Sequence, residues 1–126
     1  ILDRRLINSG IFKILQDNNV EVHARSVFLQ GLLLMTEQSR PNKFKYWESL
    51  WKVWHEWLND NHISALEASI RYAISTTEIS KVLVGVDSTK QLKEIISASY
   101  GDLPDMPDEL FMSDVNLLNP SNWAKI

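Results

Sequence analysis

The sequence predicts an α/β fold in which parallel strands are joined by crossover helices. Segments with strand character lie at residues 20–26 and 81–86, and segments with helical periodicity lie before, between and after them. Two strands that are separated by a long helical connection run parallel, because only a hairpin returns the chain antiparallel at once. The predicted order is therefore helix, strand, two helices, strand and helix, which is typical of an α/β protein.

The first helix is predicted for residues 2–20, with Asp3 as its cap. Apolar side chains recur along it at three- and four-residue spacing and form a stripe, namely Leu6, Ile7, Ile11, Ile14 and Leu15. Gly10 lies within this segment and lowers helix stability by about 1 kcal/mol relative to alanine. A break in the helix at Gly10 is therefore expected.

The first strand shows period-two alternation over residues 20–26. Its apolar members are Val20, Val22 and Ala24, and the polar residues between them are Glu21, His23 and Arg25. This pattern predicts a strand with one buried face that ends near Ser26.

Residues 44–60 form the plainest helical segment. Its large apolar side chains recur at helical spacing with lysines and glutamates between them, namely Phe44, Trp47, Leu50, Trp51, Trp54 and Leu58. A tryptophan stripe of this kind can be a ligand platform or a partner surface, but it is more typical of a buried core, and we expect it to be core. Ser64 caps the next helix, residues 65–75, and Glu67 completes a capping box.

The second strand, residues 81–86, is short, apolar and closed by Gly85. Ser88 caps the last helix, residues 89–99, and we expect Leu92, Ile95 and Ile96 on that helix to face inward. From Gly101 onward, three prolines and several aspartates predict an irregular tail. Its acidic part, residues 102–109, is expected to be a solvated loop.

Composition limits the classes of function. The formal net charge of -3 gives no basic field for nucleic acid or an anionic membrane. The absence of cysteine excludes a thiolate metal site and fits a reducing, cytoplasmic compartment. The three histidines are scattered, so no metal site is expected, and His55 and His62 are predicted to be solvated.

Neither a membrane span nor a signal peptide is expected. The longest apolar run, LLLM after Gly31, is far shorter than the roughly 20 residues that a bilayer requires. The first ten residues are charged and lack a hydrophobic centre, and the first residue is not methionine. We therefore expect this chain to be a segment of a longer protein.

Two strands leave the predicted sheet incomplete. A two-stranded parallel sheet has two open edges and can hardly be buried on both faces. The sheet is therefore expected to be completed by strands of a missing N-terminal half, or by self-association.

Ligands of α/β proteins collect at the carboxyl ends of parallel strands. Arg25 and Ser26 lie at the end of the first strand. Residues 85–88 end the second strand and precede a helix N-terminus, which offers free N–H groups to a phosphate. The alternative is that Gly85 only forms a turn and Ser88 only caps a helix.

In this arrangement the sequence resembles the C-terminal half of the aldo-keto reductases, which are (β/α)8 barrels. The segment VEVHARSVFLQGLLLM is similar to their seventh strand and following loop, and ALEASIRYAIS to their seventh helix. KVLVGVDSTKQLKEI is similar to their eighth strand, phosphate loop and helix. The resemblance implies that residues 1–100 comprise helix 6, strand 7, a helix pair, strand 8 and helix 8 of the barrel, followed by an irregular tail at 101–126.

The resemblance also implies a nicotinamide dinucleotide at the strand ends. Arg25 stands where many members stack an aromatic ring on the nicotinamide, and Ser26 with Phe28 and Gly31 would lie along the pyrophosphate. The positions that would embrace the adenosine half are Gly85, Val86, Asp87, Gln91 and Glu94.

The cofactor implied is NAD(P)H, and two departures from the family pattern, together with the charge of Asp87, make NADH plausible. Gln91 stands where NADP-specific members often carry arginine, and Ile95 replaces an asparagine that contacts adenine. Asp87 adds a negative charge where a 2′-phosphate would lie, and like charges repel.

The resemblance implies that the parent protein reduces an aldehyde or ketone. The family's catalytic aspartate, tyrosine, lysine and histidine come from earlier strands, so Tyr46, Tyr72 and Tyr100 inherit no catalytic role and the chain alone is predicted to be inactive. One alternative is a non-enzymatic, nucleotide-binding regulatory member of the same fold. Another is a cofactor-free interaction module that uses the tryptophan helix.

Overall fold

The computed structural model describes all residues 1–126. It contains six α-helices and one two-stranded sheet, in the order α1 (Arg5–Asn8), α2 (Ile11–Asp17), β1 (His23–Ala24), α3 (Glu48–Asp60), α4 (Ala65–Ser75), β2 (Lys81–Val82), α5 (Thr89–Ala98) and α6 (Val115–Leu118). Short 3₁₀ helices lie at Leu32–Leu34, Asn42–Trp47, Asp108–Leu110 and Pro120–Asn122. None of the helices combines the length and the apolar character that crossing a membrane requires.

The two strands pair in parallel, as the order of elements predicted. His23 lies opposite Lys81, and Ala24 lies opposite Val82. Each strand is only two residues long, so the predicted extents of 20–26 and 81–86 were wrong. The sheet has no third strand, so each strand has a neighbour on one side only. The backbone N–H and C=O groups on the other side of each strand have no strand to pair with. The chain is therefore rich in helix, with one small parallel sheet.

The N-terminal helix breaks at Gly10, as its position predicted. Gly10 adopts a left-handed φ of 74° between α1 and α2. Asp3 accepts the backbone N–H of Arg5 at 3.1 Å and pairs with its guanidinium at 2.7 Å. Arg4 occupies the N-cap position, so the prediction that Asp3 is the cap was wrong by one residue. Most of the predicted apolar stripe is exposed, and Phe12 is the buried residue of α2. The stripe therefore lacks a covering element within this chain.

The core lies between α3 and the C-terminal tail. All six residues of the predicted stripe are buried, which confirms that it is core and removes the basis for a partner surface on this helix. The tail buries Leu110 and Leu117 completely against this stripe. Leu103 and Met106 also pack on the core, so the expectation that residues 102–109 form a purely solvated loop was wrong.

All five tryptophan indoles donate a hydrogen bond. The acceptors are Asp114 Oδ2 for Trp47, and the carbonyl oxygens of Phe44 for Trp51, Leu33 for Trp54, Asp105 for Trp57 and Leu117 for Trp123. A buried indole N–H without an acceptor would cost about 1–3 kcal/mol. These bonds therefore fix the positions at which the tail and the loop before α3 lie against the core.

The predicted caps Ser64 and Ser88 are present, but the predicted orientation of α5 was wrong. Ser64 and Glu67 exchange the two bonds of a capping box, and Ser88 Oγ accepts the N–H of Gln91 at 3.2 Å. Leu92 and Ile96 are 40% and 49% exposed, Ile95 is half-buried, and Ala98 is the buried residue of α5. Helix α5 packs on α4, and its apolar side has no strand to cover.

Arg71 ties α4 to the segment that follows α5. Its guanidinium donates to the carbonyl oxygens of Ala98 and Asp102 at 3.0 and 3.1 Å and pairs with Glu67 at 2.7 Å. Gly101 lies directly beneath it with a φ of 108°, and a Cβ atom at this position would be 3.0 Å from Arg71 Cζ.

Gly101→Ala should therefore lower the free energy of unfolding by about 1–3 kcal/mol, because alanine is strained at this φ and its Cβ displaces the guanidinium. Urea denaturation followed by circular dichroism measures the change. Gly85→Ala is the matched control, since nothing lies within 4 Å of its Cβ position. Equal stability of the two variants would contradict this account.

Candidate functional site

The parallel pairing brings the carboxyl ends of β1 and β2 side by side. The segments that follow the two strands enclose a cleft of about 380 Å³. Its walls are formed by Arg25, Ser26, Val27, Phe28, Gln30, Gly31, Leu83, Val84 and Gly85. The cleft thus joins two segments that are more than fifty residues apart in the sequence.

Five of the nine predicted cofactor residues line this cleft, namely Arg25, Ser26, Phe28, Gly31 and Gly85. The other four do not line it and lie farther along, on the loop after β2 and on the first turns of α5, namely Val86, Asp87, Gln91 and Glu94. All four are exposed.

Sequence reasoning missed four residues of the cleft, namely Val27, Gln30, Leu83 and Val84. Leu83 and Val84 were assigned to the second strand, which ends at Val82 instead. The signal for Leu83 and Val84 was therefore present, since residues that directly follow a strand are the ones that line a strand-end site.

The loop after β1 is held in an uncommon conformation. Ser26, Leu29 and Gln30 have left-handed φ values of 59°, 48° and 54°, and Gly31 follows with 83°. Non-glycine residues in this region cost of the order of 1 kcal/mol or more each and cluster at functional sites. Such a conformation persists only where surrounding contacts determine it.

Those contacts come from the loop itself and from α3. The Leu33 N–H donates to the Phe28 carbonyl, and the Leu32 N–H donates to that of Leu29. On α3, Trp54 Nε1 donates to the Leu33 carbonyl at 3.2 Å. The most deeply buried tryptophan of the core therefore supports the loop that lines the cleft.

Several backbone donors of this loop have no acceptor within the protein. The N–H groups of Val27, Phe28, Gln30 and Gly31 take part in no intramolecular hydrogen bond. Arg25 is the one charged residue among those that line the cleft, and it forms no ion pair. Free N–H groups beside a cation form a setting that suits an anion. The cleft therefore brings one cation and several free N–H groups next to the apolar ring of Phe28.

Gln91 holds together the loop that joins β2 to α5. Its side-chain Oε1 accepts the backbone N–H of Asp87 at 2.7 Å, while its own N–H donates to Ser88 Oγ. Glu94 lies 3.8 Å from Lys90 in an exposed pair. The exposed Asp87 carboxylate forms no ion pair.

A larger cavity of about 610 Å³ adjoins the cleft and shares Arg25, Ser26, Val27 and Gln30 with it. Tyr72 of α4 lies in its wall, and burial raises the pKa of this phenol above its ordinary value. The nine residues of the cleft itself include no carboxylate, tyrosine, lysine or histidine.

The model of the aldo/keto reductase family matches residues 1–107. No curated protein and no solved structure shows significant similarity to the chain.

Proposed function

Because the chain belongs to the aldo/keto reductase family, we propose that it supplies the cofactor-binding walls of an oxidoreductase that uses NAD(P)H. In this proposal residues 1–100 are the C-terminal half of a (β/α)8 barrel and residues 101–126 are its irregular tail. The rest of the barrel would supply the catalytic tetrad, and the whole enzyme would reduce an aldehyde or ketone. A nicotinamide cofactor would provide the hydride.

The cleft at the paired strand ends is the observation that supports this proposal most strongly. A pyrophosphate is a compact anion, and the cleft offers it Arg25 together with unpaired N–H groups on the neighbouring loop. Ser26 adds a hydroxyl at the same place. The open β-sheet edges and the exposed stripe on α1 and α2 are consistent with a unit that packs against further strands.

The adenosine half would extend toward α5. Gly85 and Val86 leave the backbone accessible, and the N-terminus of α5 presents free N–H groups there. Gln91 holds the loop in shape through its bond to Asp87. We propose that this loop, with Glu94 on the next turn, contacts the adenosine ribose and its 2′ substituent.

Titration of the chain with NADH, followed by calorimetry, tests the proposal. Arg25→Gln should weaken NADH binding about tenfold, because a charge-assisted hydrogen bond contributes about 1.5–3 kcal/mol and tenfold corresponds to 1.4 kcal/mol. Lys13→Gln is the matched control, since it removes the same charge from an exposed position on α2. Equal losses in both variants, or no binding by the unaltered chain, would contradict a cofactor role for the cleft.

A regulatory, non-enzymatic member of the fold remains the second candidate, because a cleft that binds nucleotide serves both. An assay of NADH oxidation in the presence of an aldehyde, carried out on a protein that contains the whole barrel, distinguishes the two candidates. An enzyme oxidises NADH in this assay, whereas a regulatory member binds NADH and leaves it unoxidised.

Cofactor choice gives a further prediction. Asp87→Ser and Gln91→Arg together should shift the ratio of NADPH to NADH affinity about tenfold toward NADPH, because they replace a negative charge by a positive one beside the 2′-phosphate. Unit charges about 6 Å apart at an effective dielectric near 20 interact with roughly 3 kcal/mol. Screening by solvent and salt reduces this to about 1 kcal/mol.

Dissociation constants for the two cofactors measure the shift. Gln91→Arg alone also removes the bond to the Asp87 N–H, so the single variants separate the charge effect from loosening of the loop. Asp17→Ser makes the same charge change as Asp87→Ser, but at an exposed position on α2, and should leave the ratio unchanged. An unaltered protein that already prefers NADPH a hundredfold would show that other groups govern the choice.

A further inference from the structure

Arg40 connects α3 to the far end of the loop that lines the cleft. Its Nη2 donates to the Met35 carbonyl at 3.1 Å and lies 3.0 Å from Nε2 of His55. Its guanidinium carbon lies 4.2 Å from the centre of the Trp51 ring. His55 is half-buried in this contact, so the expectation that it is a solvated residue was wrong.

This contact requires one protonation state of His55. Arginine carries five N–H donors and no acceptor, so Nε2 of His55 must accept and cannot carry a proton. The imidazole is therefore neutral, with its proton on Nδ1. Protonation would place a second donor and a second positive charge against the guanidinium.

Met35 directly follows the 3₁₀ helix Leu32–Leu34, which begins after the left-handed Gly31. Helix α3 holds this turn at two points through consecutive residues. Trp54 donates directly to the Leu33 carbonyl, and His55 acts through Arg40 on the Met35 carbonyl. Nε of Arg40 is buried without an acceptor, so the two bonds of Nη2 and the stacking on Trp51 are what orient this side chain.

We propose that Arg40 is a positioning residue for the cleft, and that it holds the loop in its binding conformation only while His55 is neutral. The functional part of this inference rests on the proposed cofactor role of the cleft. The structural part, a loop whose geometry follows the charge of His55, stands on the contacts alone.

The charged groups around His55 define the direction of the pH effect. Burial is the main cause that lowers the pKa of His55 below its ordinary 6.5, and Arg40 lowers it further, while Glu37 opposes them. The other charged residues that line the same surface groove are Lys45 before α3, and Glu48, Lys52 and Glu56 on α3 itself. Lys52 and Glu56 lie 3.9 Å apart and largely offset each other.

Because the pKa of His55 is lower in the folded chain, its contribution to stability is complete above about pH 6.5 and is lost as pH falls through the folded value. The loop should therefore be held firmly at neutral pH and released in mild acid. Arg40 stays charged throughout this range.

The test follows the backbone amides of Leu32–Met35 and the His55 ring by NMR from pH 8 to pH 5, in the unaltered chain without ligand. We expect the amide shifts to follow the His55 titration with a midpoint below about 6.5. We also expect NADH affinity to fall at least threefold between about pH 7.5 and pH 5.5. His55→Gln, which keeps an acceptor but does not titrate, should abolish both changes.

His62→Gln is the matched control, because His62 is exposed and should leave both profiles unchanged. Arg40→Lys should uncouple the amide shifts from the His55 titration, since a single ammonium on a flexible stem does not reproduce the planar stacked fork. Amides that ignore the titration, or a pH profile that survives in His55→Gln, would overturn the proposal. If NADH binds at no pH, the cofactor role fails, while the NMR measurement still decides whether the loop follows His55.

Discussion

Replacing Trp54 by alanine should lower the free energy of unfolding by about 3–5 kcal/mol, which is the usual cost of removing a buried tryptophan. Trp54 is completely buried, and its ring stacks on that of Trp57 with the ring centres 5.6 Å apart. The same change removes the donor to the Leu33 carbonyl. Domains of this size are stable by about 5–15 kcal/mol, so the loss should remove a large part of the total.

Urea unfolding monitored by circular dichroism measures this loss, and two variants serve as controls. Trp54→Phe keeps most of the apolar volume and should cost about 1–3 kcal/mol through the unpaired Leu33 carbonyl and the smaller ring. Tyr100→Ala removes a ring that is 72% exposed and should cost less than about 0.5 kcal/mol. If Trp54→Ala cost no more than Tyr100→Ala, α3 would not be the centre of the core.

The purified chain should bind NADH and yet show no turnover of a simple aldehyde above a protein-free control. General acid–base catalysis contributes typically 10²–10⁴-fold and requires a proton donor within hydrogen-bond reach of the carbonyl. No residue that lines the cleft is such a donor, because Arg25 is the one titratable group there. Tyr46 and Tyr100 are largely exposed, and neither lines the cleft.

Loss of NADH absorbance in the presence of an aldehyde measures the turnover. Tyr72 is the one tyrosine that lines the adjoining cavity, and burial raises its pKa, which makes it a weaker acid. Tyr72→Phe should therefore leave the background rate unchanged. Steady oxidation of NADH that Tyr72→Phe abolishes would show instead that the chain carries a proton donor of its own.

Local signals in the sequence predicted the helices well. The capping box of Ser64 and Glu67, and the Ser88 cap, depend on residues three apart and therefore formed as expected. The spacing of the tryptophans on α3 likewise depends only on the helical period. Strand length and the orientation of α5 depend instead on what lies alongside, and Leu92 is exposed because no strand of this chain covers it.

The same distinction explains how far the site could be predicted. Residues next to the ends of the strands, such as Ser26 and Gly85, reach the cleft because the direction of the strands places them there. The left-handed conformation of Leu29 and Gln30 has no local signal, since neither residue favours positive φ. Nor does a sequence pattern pair Arg40 with His55, because a contact across fifteen residues depends on how the loop packs against α3.

The hydrogen-bonded indoles give the protein five internal optical probes. The fluorescence emission of an indole shifts with the polarity and hydrogen bonding of its surroundings. Here each ring reports on the contact with a different segment of the chain. Trp54 reports on the loop beside the cleft, Trp57 on the start of the tail, and Trp123 on its end. Trp47 reports on the Asp114 turn between them, and Trp51 on the 3₁₀ helix before α3. Variants that retain one tryptophan at a time could therefore show which of these contacts is lost first when the chain unfolds.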